Sequence, residues 1–112
     1  MKEPFFLYRL THDATGVYYY AVAIDKVRAS KKLRDNLQPA ATYKAKPDRK
    51  AFYDKLVSLK VINPSARMKV NLTEWSITTI YGPSTFPVCH AILKEVLFAV
   101  SRPDYLIPQE KH

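Results

Sequence analysis

The sequence predicts an α+β fold, a small three-stranded mixed or antiparallel sheet flanked by helices in the order β-β-α-α-β-α. Three observations carry this reading. Two runs rich in aromatic and β-branched residues, PFFLYRLT (4–11) and VYYYAVAI (17–24), flank a polar turn that ends in Gly16. Two basic segments, about 25–37 and about 47–60, carry apolar residues at helical intervals. A further alternating run is followed by a nearly all-apolar helix. The whole chain, 1–112, suits a single domain.

The first pair of runs reads as a β-hairpin. With a loop of His12 to Thr15, Thr11 faces Gly16 and Tyr8 lies directly opposite Tyr19, both side chains on one face of the pleat. Asp25 is the expected N-cap of a helix that runs to Leu37. Val27, Leu33 and Leu37 form its apolar stripe, and Arg28, Lys31, Lys32 and Arg34 cover the rest. Gln38 to Lys46 is a loop marked by Pro39. A second helix from about Pro47 to Lys60 places Phe52, Leu56 and Leu59 at i, i+4 and i+7, and Asn63-Pro64-Ser65 is a turn. Residues 69–81 (KVNLTEWSITTIY) alternate as a third strand. Its apolar phase shifts near Thr73-Glu74, which a bulge there or burial on both faces would explain. Tyr81-Gly82-Pro83 is expected to end that strand. Thr85 to Val100 is so apolar that a central, buried helix is expected, closed by Arg102-Pro103.

Composition narrows the function classes. With 47% apolar and 25% charged residues and only two glycines, neither disorder nor a collagen-like chain is possible. The lone Cys89 can close no intrachain disulfide and no cysteine-based zinc site, so a reducing, cytoplasmic setting is expected. Lys2, Glu3 and Arg9 interrupt any signal-peptide core in the first ten residues. The longest stretch free of charge, Trp75 to Leu93, contains Gly82, Pro83 and Pro87, so no membrane helix is expected.

Charge is the strongest compositional signal. The net charge of +8 is concentrated in residues 26–69, which hold 13 basic groups against Asp35, Asp48 and Asp54. Such a patch is the footprint expected for a polyanion. Lys26, Lys31, Lys32, Arg34, Lys44, Lys46, Arg49 and Lys50 are the candidate nucleic-acid contacts. The plainer alternative is that these lysines only keep the protein soluble. An anionic membrane is a poorer partner, because no strongly apolar face accompanies the basic run.

Single residues are less decisive. Glu95 lies within Ile92-Leu93-Lys94-Glu95-Val96-Leu97-Phe98, where a bare carboxylate is costly unless paired, hydrogen-bonded or bound to a metal; the alternative is a solvated Glu at the helix edge. Tyr8 and Tyr19 can be packing residues and Arg28 an ordinary exposed arginine. His12 in a turn, His90 in the apolar helix and His112 at the terminus show no metal spacing, and no glycine-rich phosphate loop exists.

Taken in order, Phe6-Leu7-Tyr8-Arg9-Leu10-Thr11, Gly16, Tyr19-Tyr20-Ala21 and Arg28 resemble the front of the GIY-YIG nuclease family. Phe6-Leu7-Tyr8 would stand for its first motif and Tyr19-Tyr20-Ala21 for its second. Glu74-Trp75-Ser76-Ile77 and the Glu95 helix would match its third strand and glutamate helix, so the likeness covers about residues 5 to 100. The resemblance implies a Mg²⁺-dependent endonuclease acting on DNA, of the kind a phage or mobile element encodes, working in the host cytoplasm. Glu95 would hold one Mg²⁺, Arg28 would neutralise the phosphate in the transition state, and Tyr8 and Tyr19 would orient or deprotonate the attacking water. Phe6 and Ala21 stand where the family has glycine. That departure carries the alternative, a catalytically inactive nuclease fold that binds nucleic acid or masks a protein partner.

Overall fold

The computed structural model describes residues 4–37, 58, 72–100 and 105–107. The loop, second helix and turn expected between residues 38 and 65 therefore lie outside the described residues, Ser58 apart, as do Arg102-Pro103. Within them the chain forms strands β1 (Phe5–His12) and β2 (Tyr18–Ala23), then helix α1 (Lys26–Leu37). After a 3₁₀ turn over Leu72–Glu74 come strand β3 (Trp75–Ser84) and helix α2 (Phe86–Phe98). The strands make one open antiparallel sheet in the order β2-β1-β3. This is the α+β class expected.

The hairpin register differs from the expected one by two residues. Tyr8 pairs with Ala21 and Tyr19 with Leu10, so the two tyrosines are not directly opposed. The cause is the turn. The His12 N–H donates to the Val17 carbonyl at 2.7 Å, and the Gly16 N–H returns to the His12 carbonyl at 2.8 Å with Gly16 at φ +80°. A residue in that left-handed conformation belongs inside the turn, so the loop is Asp13 to Gly16 rather than His12 to Thr15. Because the pleat repeats every two residues, the slip leaves Tyr8 and Tyr19 on the same face.

Alternation along the strands sorts the core into two clusters on opposite faces. Tyr8, Leu10, Tyr19, Ala21 and Ala23 bury one way, with Trp75 and with Ala29 and Leu33 of α1. Leu7, Tyr18, Tyr20 and Val22 bury the other way, against Cys89 and Leu93 of α2. The two helices thus clad opposite faces of one sheet.

Asp25 caps α1 as expected, its Oδ1 accepting the Arg28 backbone N–H at 2.8 Å. Of the expected stripe Leu33 is buried and Val27 is 78% exposed, while the side chain of Leu37 lies outside the described residues; Ala29 and Ser30 are buried beside Leu33. Ala29 and Leu33 are four apart and so share a face, whereas Val27 falls on the opposite side of the wheel.

In β3 the shifted apolar phase has neither of the expected causes. The strand starts only at Trp75, after the 3₁₀ turn, and most of it is exposed. Its register irregularities lie at the far end, opposite Phe5, Leu7 and Tyr8. The strand also runs through Gly82 and Pro83 to Ser84 instead of stopping at Tyr81. Gly82 is required there: at φ +119°, a Cβ would meet the Phe5 carbonyl oxygen at 2.7 Å.

The α2 helix is not central. Cys89 and Leu93 are buried, but Phe86 and Val88 are exposed and Phe98 is 96% exposed. One face lies on the sheet and the other faces outward, so a nearly all-apolar composition accompanies a surface helix. Cys89 is sealed, its thiol donating to the Phe5 carbonyl at 3.4 Å, and burial raises its pKa, as suits an inert thiol.

Candidate nucleic-acid interface

The basic candidates on α1 are exposed. Lys26, Arg28, Lys31, Lys32 and Arg34 all reach the surface of a helix whose only acidic residue is Asp35. The sequence dictates this face: once Ala29 and Leu33 turn to the sheet, helical spacing sends Lys31 directly outward and Arg34 to its flank. Arg28 is partly spoken for, because its Nη1 donates to Asp25 Oδ2 at 2.6 Å across one turn. The Arg28 backbone and side-chain hydrogen bonds hold the Asp25 carboxyl below the usual carboxylate range. Lys32 bends the other way, toward the sheet edge, and its Nζ donates to the Val22 carbonyl at 2.5 Å. Lys44, Lys46, Arg49 and Lys50 lie outside the described residues.

The four residues that the nuclease resemblance singles out divide between the two faces. Tyr8 and Tyr19 are buried in the cluster beneath α1. Burial raises the Tyr8 pKa above its ordinary value, with Asp25 adding to the shift, so Tyr8 and the Asp25–Arg28 pair share one end of α1. A phenol whose pKa is raised is a poorer base at neutral pH, not a better one. Glu95 belongs to the helix on the opposite face. It is exposed, and its position on the wheel, two residues after the buried Leu93, turns it away from the sheet. The cost that would have forced a partner on a buried carboxylate therefore does not arise.

Glu95 consequently does not converge with Tyr8, Tyr19 and Arg28. Among the described residues no group of three His, Cys, Asp or Glu side chains gathers that could hold a metal ion. The resemblance names Glu95 alone as the Mg²⁺ ligand, and that carboxylate faces outward on α2, on the side of the sheet opposite Tyr8 and Tyr19.

Two groupings were not legible from spacing. His12, expected in a turn with no metal spacing, is buried and bridges the hairpin turn to the start of β3. Its Nε2 meets Glu74 Oε2 at 3.3 Å and its Nδ1 meets Thr15 Oγ1 at 2.9 Å. The Val17 N–H donates to that same Thr15 oxygen, which leaves the hydroxyl proton for His12 Nδ1 and satisfies an Nε2–H tautomer. His12 and Trp75 also pack edge-to-face at 5.2 Å, so the cluster fastens the turn. The second grouping is a cleft of about 250 Å³ at the β2 edge, where Lys32 is joined by His90 and Lys94 of α2.

Comparison with protein-family models, with curated proteins and with solved structures finds no match to this chain, so the likeness to GIY-YIG nucleases rests on the quoted residues alone.

Proposed function

We propose that the chain is a nucleic-acid-binding module that grips phosphates through the outer face of α1 and does not hydrolyse them. The observation that carries this reading is the helix itself: Lys26, Arg28, Lys31 and Arg34 are exposed with one acidic residue, Asp35, among them, mounted on a fully buried Ala29–Leu33 seam, while Lys32 turns to the sheet edge. A rigid helix holds its cations at fixed spacing, which suits a regular polyphosphate better than it suits a solubilising surface of mixed charge. The separation of Glu95 from Tyr8 and Tyr19 favours binding over catalysis.

Salt titration of duplex DNA binding is the test. Affinity should fall steeply with salt, and Lys31→Gln with Arg34→Gln should lower the slope of log K against log salt by about 0.9 for each phosphate contact removed. An affinity indifferent to salt, or a slope unchanged in the double variant, overturns the reading. A parallel incubation with supercoiled plasmid addresses catalysis. Nicking that needs Mg²⁺ and is lost in both Glu95→Ala and Arg28→Ala would establish the endonuclease instead.

A further inference from the structure

We infer that the cleft at the β2 edge is a second, distinct site, built to take a nucleoside monophosphate by its terminal phosphate. This inference rests on the nucleic-acid reading and names a ligand end that α1 does not address. The cleft lies where α1 and α2, otherwise on opposite faces, both reach the same edge of the sheet. Lys32 enters from α1, His90 and Lys94 enter from α2, and the floor is Tyr20, Leu93 and Leu97.

Charge and shape both point to this ligand. Among the described residues two lysines and a histidine line the cleft and no carboxylate does, which makes it a concentrated positive site with low-dielectric walls. Lys32 is pre-oriented, because its bond to the Val22 carbonyl fixes Nζ at the edge while leaving further N–H donors for an anion. A terminal phosphate is close to a dianion at neutral pH and offers three acceptor oxygens, matching two ammonium groups better than the single charge of an internal phosphodiester. The rest of the ligand has a platform. Phe86, itself on the cleft wall and partly exposed, stacks with His90 at 5.7 Å and 21°, presenting aromatic surface on which a base can lie. A volume of about 250 Å³ takes the phosphate and part of a nucleoside, the remainder projecting into solvent.

A free mononucleotide and the phosphorylated end of a nucleic acid share this chemistry, and the experiment separates them. The full chain is titrated calorimetrically with adenosine 5′-monophosphate, with adenosine and with inorganic phosphate. In parallel it is titrated with a short single-stranded DNA bearing either a 5′-phosphate or a 5′-hydroxyl. The monophosphate should bind at least about tenfold more tightly than adenosine, and Lys94→Gln should weaken it about tenfold, as expected for loss of one charge-assisted contact. Lys94 is exposed on α2, so this variant leaves the core untouched. If strand ends are the natural occupant, the 5′-phosphate should strengthen DNA binding by a similar factor in the parent and not in Lys94→Gln. If only the free monophosphate shows the Lys94 dependence, the site stands as a mononucleotide site. DNA binding that depends on Lys31 and Arg34, with no gain from a terminal phosphate and no binding of the monophosphate, overturns the cleft and leaves the α1 reading intact. Binding of the monophosphate without salt-sensitive binding of duplex DNA does the reverse.

Discussion

Beneath α1 the sheet presents Tyr8, Tyr19 and Trp75, sealed by a helix that is half charged; on the reverse, Tyr18 and Tyr20 lie under α2, a mostly apolar helix that shows Phe86, Val88 and Phe98 to solvent. The charged helix contributes Ala29 and Leu33 with no exposed surface at all. The apolar one contributes Cys89 and Leu93 and leaves the rest half-buried or exposed. Helix composition and helix burial are therefore different quantities. What decides burial is whether the apolar residues fall on the face that meets the sheet: Ala29 and Leu33 of α1 do and Val27 does not, while α2 spreads its many around the wheel.

The largest expected effect tests that contrast in stability. Leu33→Ala removes a fully buried side chain from a packed seam and should cost about 3 kcal/mol of unfolding free energy. Leu93→Ala, at the rim of the opposite cluster with 9% exposure, should cost nearer 2 kcal/mol, where the cavity opens toward solvent. Urea unfolding of the two variants at constant m-value measures both. Equal costs, or the reverse order, would break the distinction between a sealed face and a partly open one.

The features the sequence made legible are the local ones. Period-two alternation and the Gly16 turn located the hairpin, Asp25 fixed the start of α1 through its cap, and Pro87 in the first turn of α2 agrees with a helix starting just after Thr85. The hairpin register was not legible, because it turns on which residue takes the left-handed conformation inside the loop. Nor were the faces on which the helices dock. Glu95 reads in sequence either as a costly buried charge or as a solvated residue at the helix edge, and only the docking of α2 on the surface selects the second. Bridges such as His12 to Glu74, 62 residues apart, and the meeting of Lys32 with Lys94 depend on tertiary placement that spacing along the chain does not encode.

A smaller effect concerns the sealed face alone. The folded Tyr8 phenol has a raised pKa, mainly from burial and also from Asp25, against about 10 for the unfolded chain. The folded state therefore holds this proton more tightly. Its contribution to stability is fully present below about pH 10 and is lost as pH rises through the higher folded value. Tyr8→Phe should flatten that part of the alkaline decline, seen as a smaller stability difference between about pH 9 and pH 11. At the other end of the scale, Asp25 is held low by Arg28, so the stability it contributes is present above the ordinary carboxylate range and lost as pH falls through its depressed value. If Tyr8→Phe leaves the alkaline slope as it was, the phenol is not sealed and the two faces are more alike than the burial pattern implies.

The smallest expected effect comes from the outer side of α2. Val88, Ala91, Glu95 and Phe98 follow one another at three- and four-residue steps and form a single stripe facing away from the sheet. Phe98, at 96% exposed, touches almost nothing, so Phe98→Ser should change stability by no more than about 0.5 kcal/mol despite removing a large aromatic ring. The same substitution in a core position would cost several times that. A loss of about 2 kcal/mol or more in urea unfolding would mean that this stripe is covered in solution, and that the apolar character of α2 is used on both of its sides. A near-zero effect would leave α2 a surface helix whose stabilising contacts are confined to the Cys89–Leu93 face, with the outer ring free to be replaced at will.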